Sequence, residues 1–206
     1  MEFLTNHALE IVGFVTGLIY LYLEWKASIY LWIASIIMPA ISLIVYFDAG
    51  LYADFGINIY YLLIAIYGWF AWKYGGKKDQ QAKAAENKQE EGAPIIHTPN
   101  NQILPLLIVS AVLWAGIWWL LVTFTPSTVP VADAFTTALS IVAYWMLARK
   151  QVEQWLVWLV VDAVCTVLYV YKGIPFYAVL YGFYTVIAWF GYFKWLRMMK
   201  EQNINQ

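Results

Sequence analysis

Residues 144–173, YWMLARKQVEQWLVWLVVDAVCTVLYVYKG, place a short basic loop (Arg149, Lys150) before a long apolar run with one carboxylate, Asp162, at its centre. The run is about twenty residues, the length of a membrane span, and a charge at the middle of a span is costly enough to mark a functional residue by default. On a helix advancing 100° per residue, Trp155, Trp158, Asp162, Cys165, Thr166 and Tyr169 share a sector of roughly 100°. Indole rings and an anion on one stripe suit a flat cation. Aromatic faces attract cations by about 0.5–2 kcal/mol, and a carboxylate in a low dielectric adds Coulomb attraction.

The rest of the chain is of the same character. It is 63% hydrophobic and 12% charged, against about 25% charged in soluble domains. This composition predicts an all-α polytopic membrane protein and excludes a soluble catalytic domain. Seven stretches are long enough to span: 8–25, 28–47, 55–74, 103–124, 133–148, 153–171 and 175–196. The first follows Met1-Glu2 with no basic lead and no cleavage site, so it reads as a retained span rather than a signal peptide. Gly13 and Gly17 give it a small-xxx-small spacing suited to close packing, which would permit a homo-oligomer.

Other chemistries find no footing. Cys165 is the single cysteine and reads as a small packing residue. His7 and His97 are far apart with no ligand spacing around them, so no metal is expected. There is no phosphate loop, dinucleotide fingerprint, nucleophile elbow or acid–base pair. The expectation is therefore no enzyme, no cofactor and no nucleic-acid partner.

Alternating through seven spans puts Lys26, Lys73, Lys77, Lys78, Lys83, Lys88, Arg149, Lys150, Lys194, Arg197 and Lys200 on one face, with Lys172 the exception among the 12 basic residues. The positive-inside rule makes that face cytoplasmic, with the N-terminus outside and the C-terminus inside. Asp48, Asp54 and Asp133 fall in the outer loops.

Sliding the chain on itself by 123 residues aligns Lys26 with Arg149, Trp32 with Trp155, Tyr46 with Tyr169 and Gly50 with Gly173. The same offset aligns Tyr61 with Tyr184, Gly68 with Gly191 and Trp72 with Trp195. The expected architecture is 3+1+3: two three-helix repeats made parallel by a connector span. The expected boundaries are 1–74 for the first bundle, 75–102 for a solvated cytoplasmic linker and 103–124 for the connector. The second bundle takes 125–200 and the tail 201–206. Parallel repeats about an axis along the membrane normal are a transporter architecture, with the substrate between the repeats near midplane.

The offset sets Pro39 against Asp162, and a proline in mid-span is a candidate hinge. The stripe around it reads Trp32, Ser35, Pro39, Ser42, Tyr46. Further polar and aromatic faces come from Asn58 and Tyr61 in span 3, from Thr137, Ser140 and Tyr144 in span 5, and from Tyr177, Tyr181 and Tyr184 in span 7. Such faces should look inward, because lipid cannot satisfy their donors and acceptors. Trp25, Trp72 and Trp195 lie near span ends and read as an interfacial belt, Gly68 and Gly191 as packing positions, and Glu153 as a partner for Lys150.

These features resemble the Pnu family of bacterial vitamin transporters, relatives in architecture of the SWEET sugar carriers. The resemblance covers essentially the whole chain. It rests on AGLYADFGINIYYLLIAIYGWFAWK (49–73), STVPVADAFTTALSIVAYWMLARK (127–150) and VEQWLVWLVVDAVCTVLYVYKG (152–173), where two tryptophans precede the intramembrane acid. It implies a carrier in the bacterial inner membrane that passes an unphosphorylated B-vitamin by facilitated diffusion, trapped by a cytoplasmic vitamin kinase or pyrophosphokinase. It also implies a pocket lined by Trp155, Trp158 and Asp162, with Trp32, Asn58, Tyr61, Ser140, Tyr144, Tyr181 and Tyr184 as further lining. Nicotinamide riboside importers read Glu-Asn-Trp and Gln-Trp where this chain has Glu153-Gln154-Trp155 and Tyr144-Trp145, and their span 2 pattern is replaced here by YLWIASIIMPAISLIVYF (30–47). The pattern resembles the thiamine branch, so thiamine is the expected cargo and nicotinamide riboside the alternative.

Overall fold

The computed structural model describes residues 8–48, 52–75, 93–173 and 175–204. Among them are seven α-helices: α1 (Ala8–Trp25), α2 (Leu31–Asp48), α3 (Tyr52–Tyr74), α4 (Asn100–Phe124), α5 (Pro130–Ala148), α6 (Gln154–Tyr171) and α7 (Pro175–Ile204). Each expected span falls on one helix, because an apolar segment can satisfy its backbone groups without water only by bonding within itself. Among the described residues, four segments are both long and apolar enough to cross a bilayer: Phe55–Tyr74, Asn100–Phe124, Pro130–Ala148 and Gln154–Tyr171. The apolar part of α2 is shorter, Leu31–Ile44. In α7, tyrosines and tryptophans dilute the hydropathy, and the helix continues eight residues beyond the expected end through Arg197 and Lys200. The fifth span starts earlier than expected, at Pro130, whose fixed φ suits the first helical position. Expectations about His7, Gly50, residues 76–92 and the last two residues, and about the side chains of Tyr46, Asp48 and Asp54, lie outside the described residues.

The chain divides into two compact units, Met1–Ala93 and Pro94–Gln206. In the first, α2 and α3 pack along one another and α1 touches α2 lightly. The second is a sequential series in which α4 packs on α5, α5 on α6 and α6 on α7. The shortest expected span, α5, is the most enclosed: Ala134, Ala138, Ala143 and Ala148 are buried along it, and small residues let neighbouring backbones approach. By contrast α4 buries no residue. It holds α5 through Trp114, whose indole lies edge-on to Phe135 at 5.5 Å and donates to the Val131 carbonyl at 3.0 Å.

The 123-residue offset recurs as geometry inside each unit. In the first, Trp32 is fully buried against Gly68, where an added Cβ would stand 2.4 Å from the indole, and meets Trp72 edge-on at 5.4 Å and 87°. In the second, Trp155 lies against Gly191, where a Cβ would stand 2.7 Å from the ring, and meets Trp195 edge-on at 5.8 Å and 82°. Only glycine leaves room for an indole this close to a helix backbone. Trp72 and Trp195 are therefore core residues, 2% and 0% exposed, which corrects their reading as an interfacial belt.

The helix ends before α2 and α6 match as well. Ser28 N–H donates to the Leu23 carbonyl at 2.9 Å, and Gln151 N–H to the Met146 carbonyl at 3.0 Å. Each six-to-one bond encloses a left-handed residue, Ala27 at φ 50° and Lys150 at φ 51°. This is the Schellman stop with a side-chain-bearing residue in the place glycine usually takes. Pro39 does not break α2, which is continuous through it.

Ala substitution at Gly68 or Gly191 forces an indole to shift. Overpacking of this kind costs about 1–3 kcal/mol, so both variants lose thermal stability in detergent. Gly116→Ala, where an added Cβ meets nothing, serves as the control. Equal losses at Gly116 and Gly191 would contradict the notch.

Candidate functional site

Asp162 sits at the middle of α6 and is 6% exposed, with Cys165 buried one turn on. Tyr181 and Tyr184 of α7, both half-buried, lie within electrostatic reach of the Asp162 carboxylate. Tyr169 of α6 closes the cluster, its ring 5.1 Å from Tyr181 and 5.4 Å from Tyr177, and Tyr181 stands 5.7 Å from Tyr184. Along the α6–α7 seam the order is therefore Trp155 in its glycine notch, then Asp162 with its tyrosines, then the Tyr169 group. Trp158 is half-buried with its indole nitrogen enclosed.

The structure thus gathers five expected residues, Trp155, Trp158, Asp162, Tyr181 and Tyr184, on α6 and α7. Tyr144 is buried on α5, and Ser140 is half-buried one turn before it. The other three belong to the first unit: Trp32 in the Gly68 notch, and Asn58 and Tyr61 half-buried on α3.

Four hydroxyl residues of the expected faces turn out to be bonded locally. Ser35 donates to the Leu31 carbonyl at 2.9 Å, Thr137 to Asp133 at 2.8 Å, Ser140 to Thr136 at 2.8 Å and Thr166 to the Asp162 carbonyl at 2.7 Å. A hydroxyl that returns its proton to the preceding turn needs no inward-facing partner. These side chains therefore do not argue for a polar path by themselves.

Two features escape the sequence reading. The first is a clasp at the α5–α6 turn. Ile96 pairs with this turn as a parallel bridge, donating to the Lys150 carbonyl at 3.0 Å and accepting from Val152 at 2.9 Å. Glu153 takes His97 Nδ1 at 2.6 Å, Thr98 N–H at 2.7 Å and the Thr98 hydroxyl at 2.9 Å. Gln151 donates to Gln102 at 2.8 Å, and Ile95 N–H donates to Gln202 at the end of α7 at 3.0 Å. The end of the expected linker is thus docked rather than solvated, and the partners of Glu153 are His97 and Thr98 where Lys150 was expected. Burial pushes the Glu153 carboxyl up, but the hydrogen bonds from His97 and Thr98 outweigh it and hold the group below its ordinary range. Lys150 is buried, which brings its ammonium pKa down to about 8. Only the apolar pair Ile95-Ile96 inside a polar segment signalled any of this.

The second missed feature is Gln154, 0% exposed, with neither amide atom hydrogen-bonded. At the opposite end of α6, Lys172 bonds Asp133 at 2.8 and 3.2 Å, and Ser127 donates to the same carboxylate at 3.1 Å. The one basic residue outside the expected charge pattern is thus neutralised by a pair.

Glu153 has a folded-state pKa below the unfolded one, so its contribution is present above its ordinary pKa of 4.5 and is lost as pH falls further. Glu153→Ala at neutral pH removes three bonds to a carboxylate, so amide exchange over Ile95–Thr98 accelerates by about tenfold or more. The native protein shows the same loosening only in acid. Hydrogen exchange that is unchanged by the substitution would refute the clasp.

The chain is similar to known transporters. The chain is 24% identical over 212 residues to the nicotinamide riboside transporter PnuC of Escherichia coli (strain K12), covering 95% of this chain and 87% of that protein. It is 27% identical over 198 residues to the riboflavin/roseoflavin transporter RibM of Streptomyces davaonensis, covering 94% and 87%. The crystal structure of the vitamin B3 transporter PnuC superposes with a TM-score of 0.68 at 23% identity over 97% of this chain and 85% of that one, which shows the shared fold. These relatives are transporters, and no enzyme is among them. The family model described as nicotinamide mononucleotide transporter matches residues 7–197, and the chain accordingly belongs to that family, the PnuC-type vitamin transporters of the membrane.

Proposed function

We propose that this protein imports nicotinamide riboside by facilitated diffusion. The observation that carries the reading is Asp162, a carboxylate enclosed in mid-helix beside Trp158 and the tyrosines of α7. A pyridinium ring is a flat cation, and in a low dielectric a fixed anion attracts it strongly. Thiamine, the cargo first expected from the sequence, is also a flat cation. However, the relatives named above carry nicotinamide riboside or riboflavin, and neither names thiamine. Riboflavin is neutral and has no use for Asp162. The proposed lining in the second unit is Trp155, Trp158, Asp162, Tyr144, Ser140, Tyr181 and Tyr184; Trp32, Asn58 and Tyr61 are the candidate residues of the first unit.

The matching notches and helix stops support a 3+1+3 arrangement of two parallel three-helix repeats, 1–74 and 125–200, around the connector 103–124. The charge pattern supports an N-terminus outside the inner membrane and a cytoplasmic C-terminus, with the linker expected over 75–102 on the cytoplasmic side; Pro39, a proline in mid-helix, is the proposed hinge. A cytoplasmic kinase completes the direction of flow: phosphorylation adds up to two negative charges, and a phosphate brought near Asp162 is repelled. The product therefore does not return. No ion coupling is needed in this scheme, and a homo-oligomer is compatible with it.

Asp162→Asn keeps the shape and removes the charge. It weakens nicotinamide riboside binding by about tenfold or more while leaving the ligand-free melting temperature near the native value. Titration calorimetry with nicotinamide riboside, thiamine and riboflavin checks both cargo and residue. Unchanged affinity for the cationic ligands would return Asp162 to a structural role.

A further inference from the structure

Four buried polar atoms in the first turns of α6 have no hydrogen-bond partner: Nε2 and Oε1 of Gln154, and the indole nitrogens of Trp155 and Trp158. Buried side-chain polar groups are paired in the large majority of cases, so a cluster of orphans asks for an explanation. Their neighbours show that the local structure is able to satisfy such groups. Gln151, three residues earlier and equally buried, is engaged by Gln102 and Thr98, and Glu153 by His97 and Thr98. Gln154 alone among these has its entire amide idle.

The first unit supplies an internal control. The residue 123 positions before Gln154 is Leu31, which is also 0% exposed. The same helix start, with the same Schellman stop before it and the same tryptophan after it, therefore packs well around leucine. Nothing in the packing calls for an amide at this position, and burying one without partners is unfavourable. The amide is left with its donor and acceptor open.

We propose that Gln154 is the residue that reads the ring edge of the cargo. Its side chain presents one acceptor and one donor in a plane, which is complementary to any flat heteroaromatic molecule carrying a donor and an acceptor side by side. The primary carboxamide of a nicotinamide ring has that edge, as do the N–H and carbonyl of a flavin and the aminopyrimidine edge of thiamine. A carboxylate has two acceptors and no donor, so the acid form of the same ring leaves Oε1 facing a negative oxygen. The order along α6 fits one molecule. Gln154 and Trp158 are four residues apart and share a face, and Asp162 follows one turn later, about 12 Å along the axis from Gln154. An amide edge at Gln154 places the ring at Trp158 and its cationic nitrogen toward Asp162. The inference rests on the transport reading for its cargo, while the edge chemistry is wider than any one vitamin.

The test uses the full chain in detergent, as native protein and as Gln154→Leu, the residue the first unit already uses. Binding is measured for nicotinamide riboside, nicotinic acid riboside, riboflavin and thiamine, together with the melting temperature without ligand. A bidentate amide pair discriminates by about 10- to 100-fold, so Gln154→Leu lowers affinity for the amide-edged ligand by that factor. It also abolishes the preference over nicotinic acid riboside and leaves the ligand-free melting temperature equal or higher. Gln154→Asn provides a second, amide-retaining variant that recovers part of the preference. If the native protein binds riboflavin or thiamine in place of nicotinamide riboside and Gln154→Leu loses that binding, the edge assignment stands and the nicotinamide cargo falls. If nicotinamide riboside binding survives Gln154→Leu unchanged, the cargo stands and the edge assignment falls. A lowered ligand-free melting temperature in Gln154→Leu overturns the inference by showing that the amide serves the fold, and a native protein that binds none of the four overturns both.

Discussion

An indole lying on a glycine is the contact on which the rest of this structure depends. Trp155 against Gly191 and Trp32 against Gly68 bring two helices close enough for ring edge and ring face to meet at Trp195 and Trp72. In a bilayer, helices gain little from hiding apolar surface, because lipid is as apolar as leucine; shape and close contact decide association instead. The notch sets the register of α6 on α7. The placement of Asp162 within electrostatic reach of Tyr184, and the ring contact of Tyr169 with Tyr181, follow from that register.

Once the seam is fixed, polar accounting separates structure from function. Ser35, Thr137, Ser140 and Thr166 return their protons to their own helices, Lys172 is matched by Asp133, and Glu153 is matched by His97 and Thr98. Among the described residues of the second unit, a short set remains on α6: the Asp162 carboxylate in mid-span, the idle amide of Gln154 and two indole donors. Groups that cost free energy to bury and receive nothing obvious in return are where a transported molecule would interact.

The helices were legible because membrane-length apolar runs leave the backbone one economical choice, and the pair of notches was legible because their residues recur at one offset. Asp162 stood out for the same reason that it is costly. The clasp was not legible: Ile95 to Thr98 looked like the end of a solvated linker, since a parallel bridge needs only backbone and a single glutamate to hold it. Trp72 and Trp195 were misread because a tryptophan near a span end is ordinarily interfacial, and only the glycine one turn before each could have shown otherwise. Gln154 was passed over because a glutamine beside a charged loop looks solvated in sequence; its burial is a tertiary fact.

The two units then differ in a way that bears on the mechanism. They share notch, edge-on pair and left-handed stop, yet at the three positions along the first turns the first unit has Leu31, Ser35 and Pro39 where the second has Gln154, Trp158 and Asp162. One copy has leucine, serine and a proline inside a continuous helix; the other carries the amide, the aromatic face and the charge. A duplicated scaffold that kept the ligand chemistry in both copies would offer two equal resting places for one cation. On the proposed reading, keeping it in one gives the cargo a single orientation, with its polar edge and its charge read by the same helix.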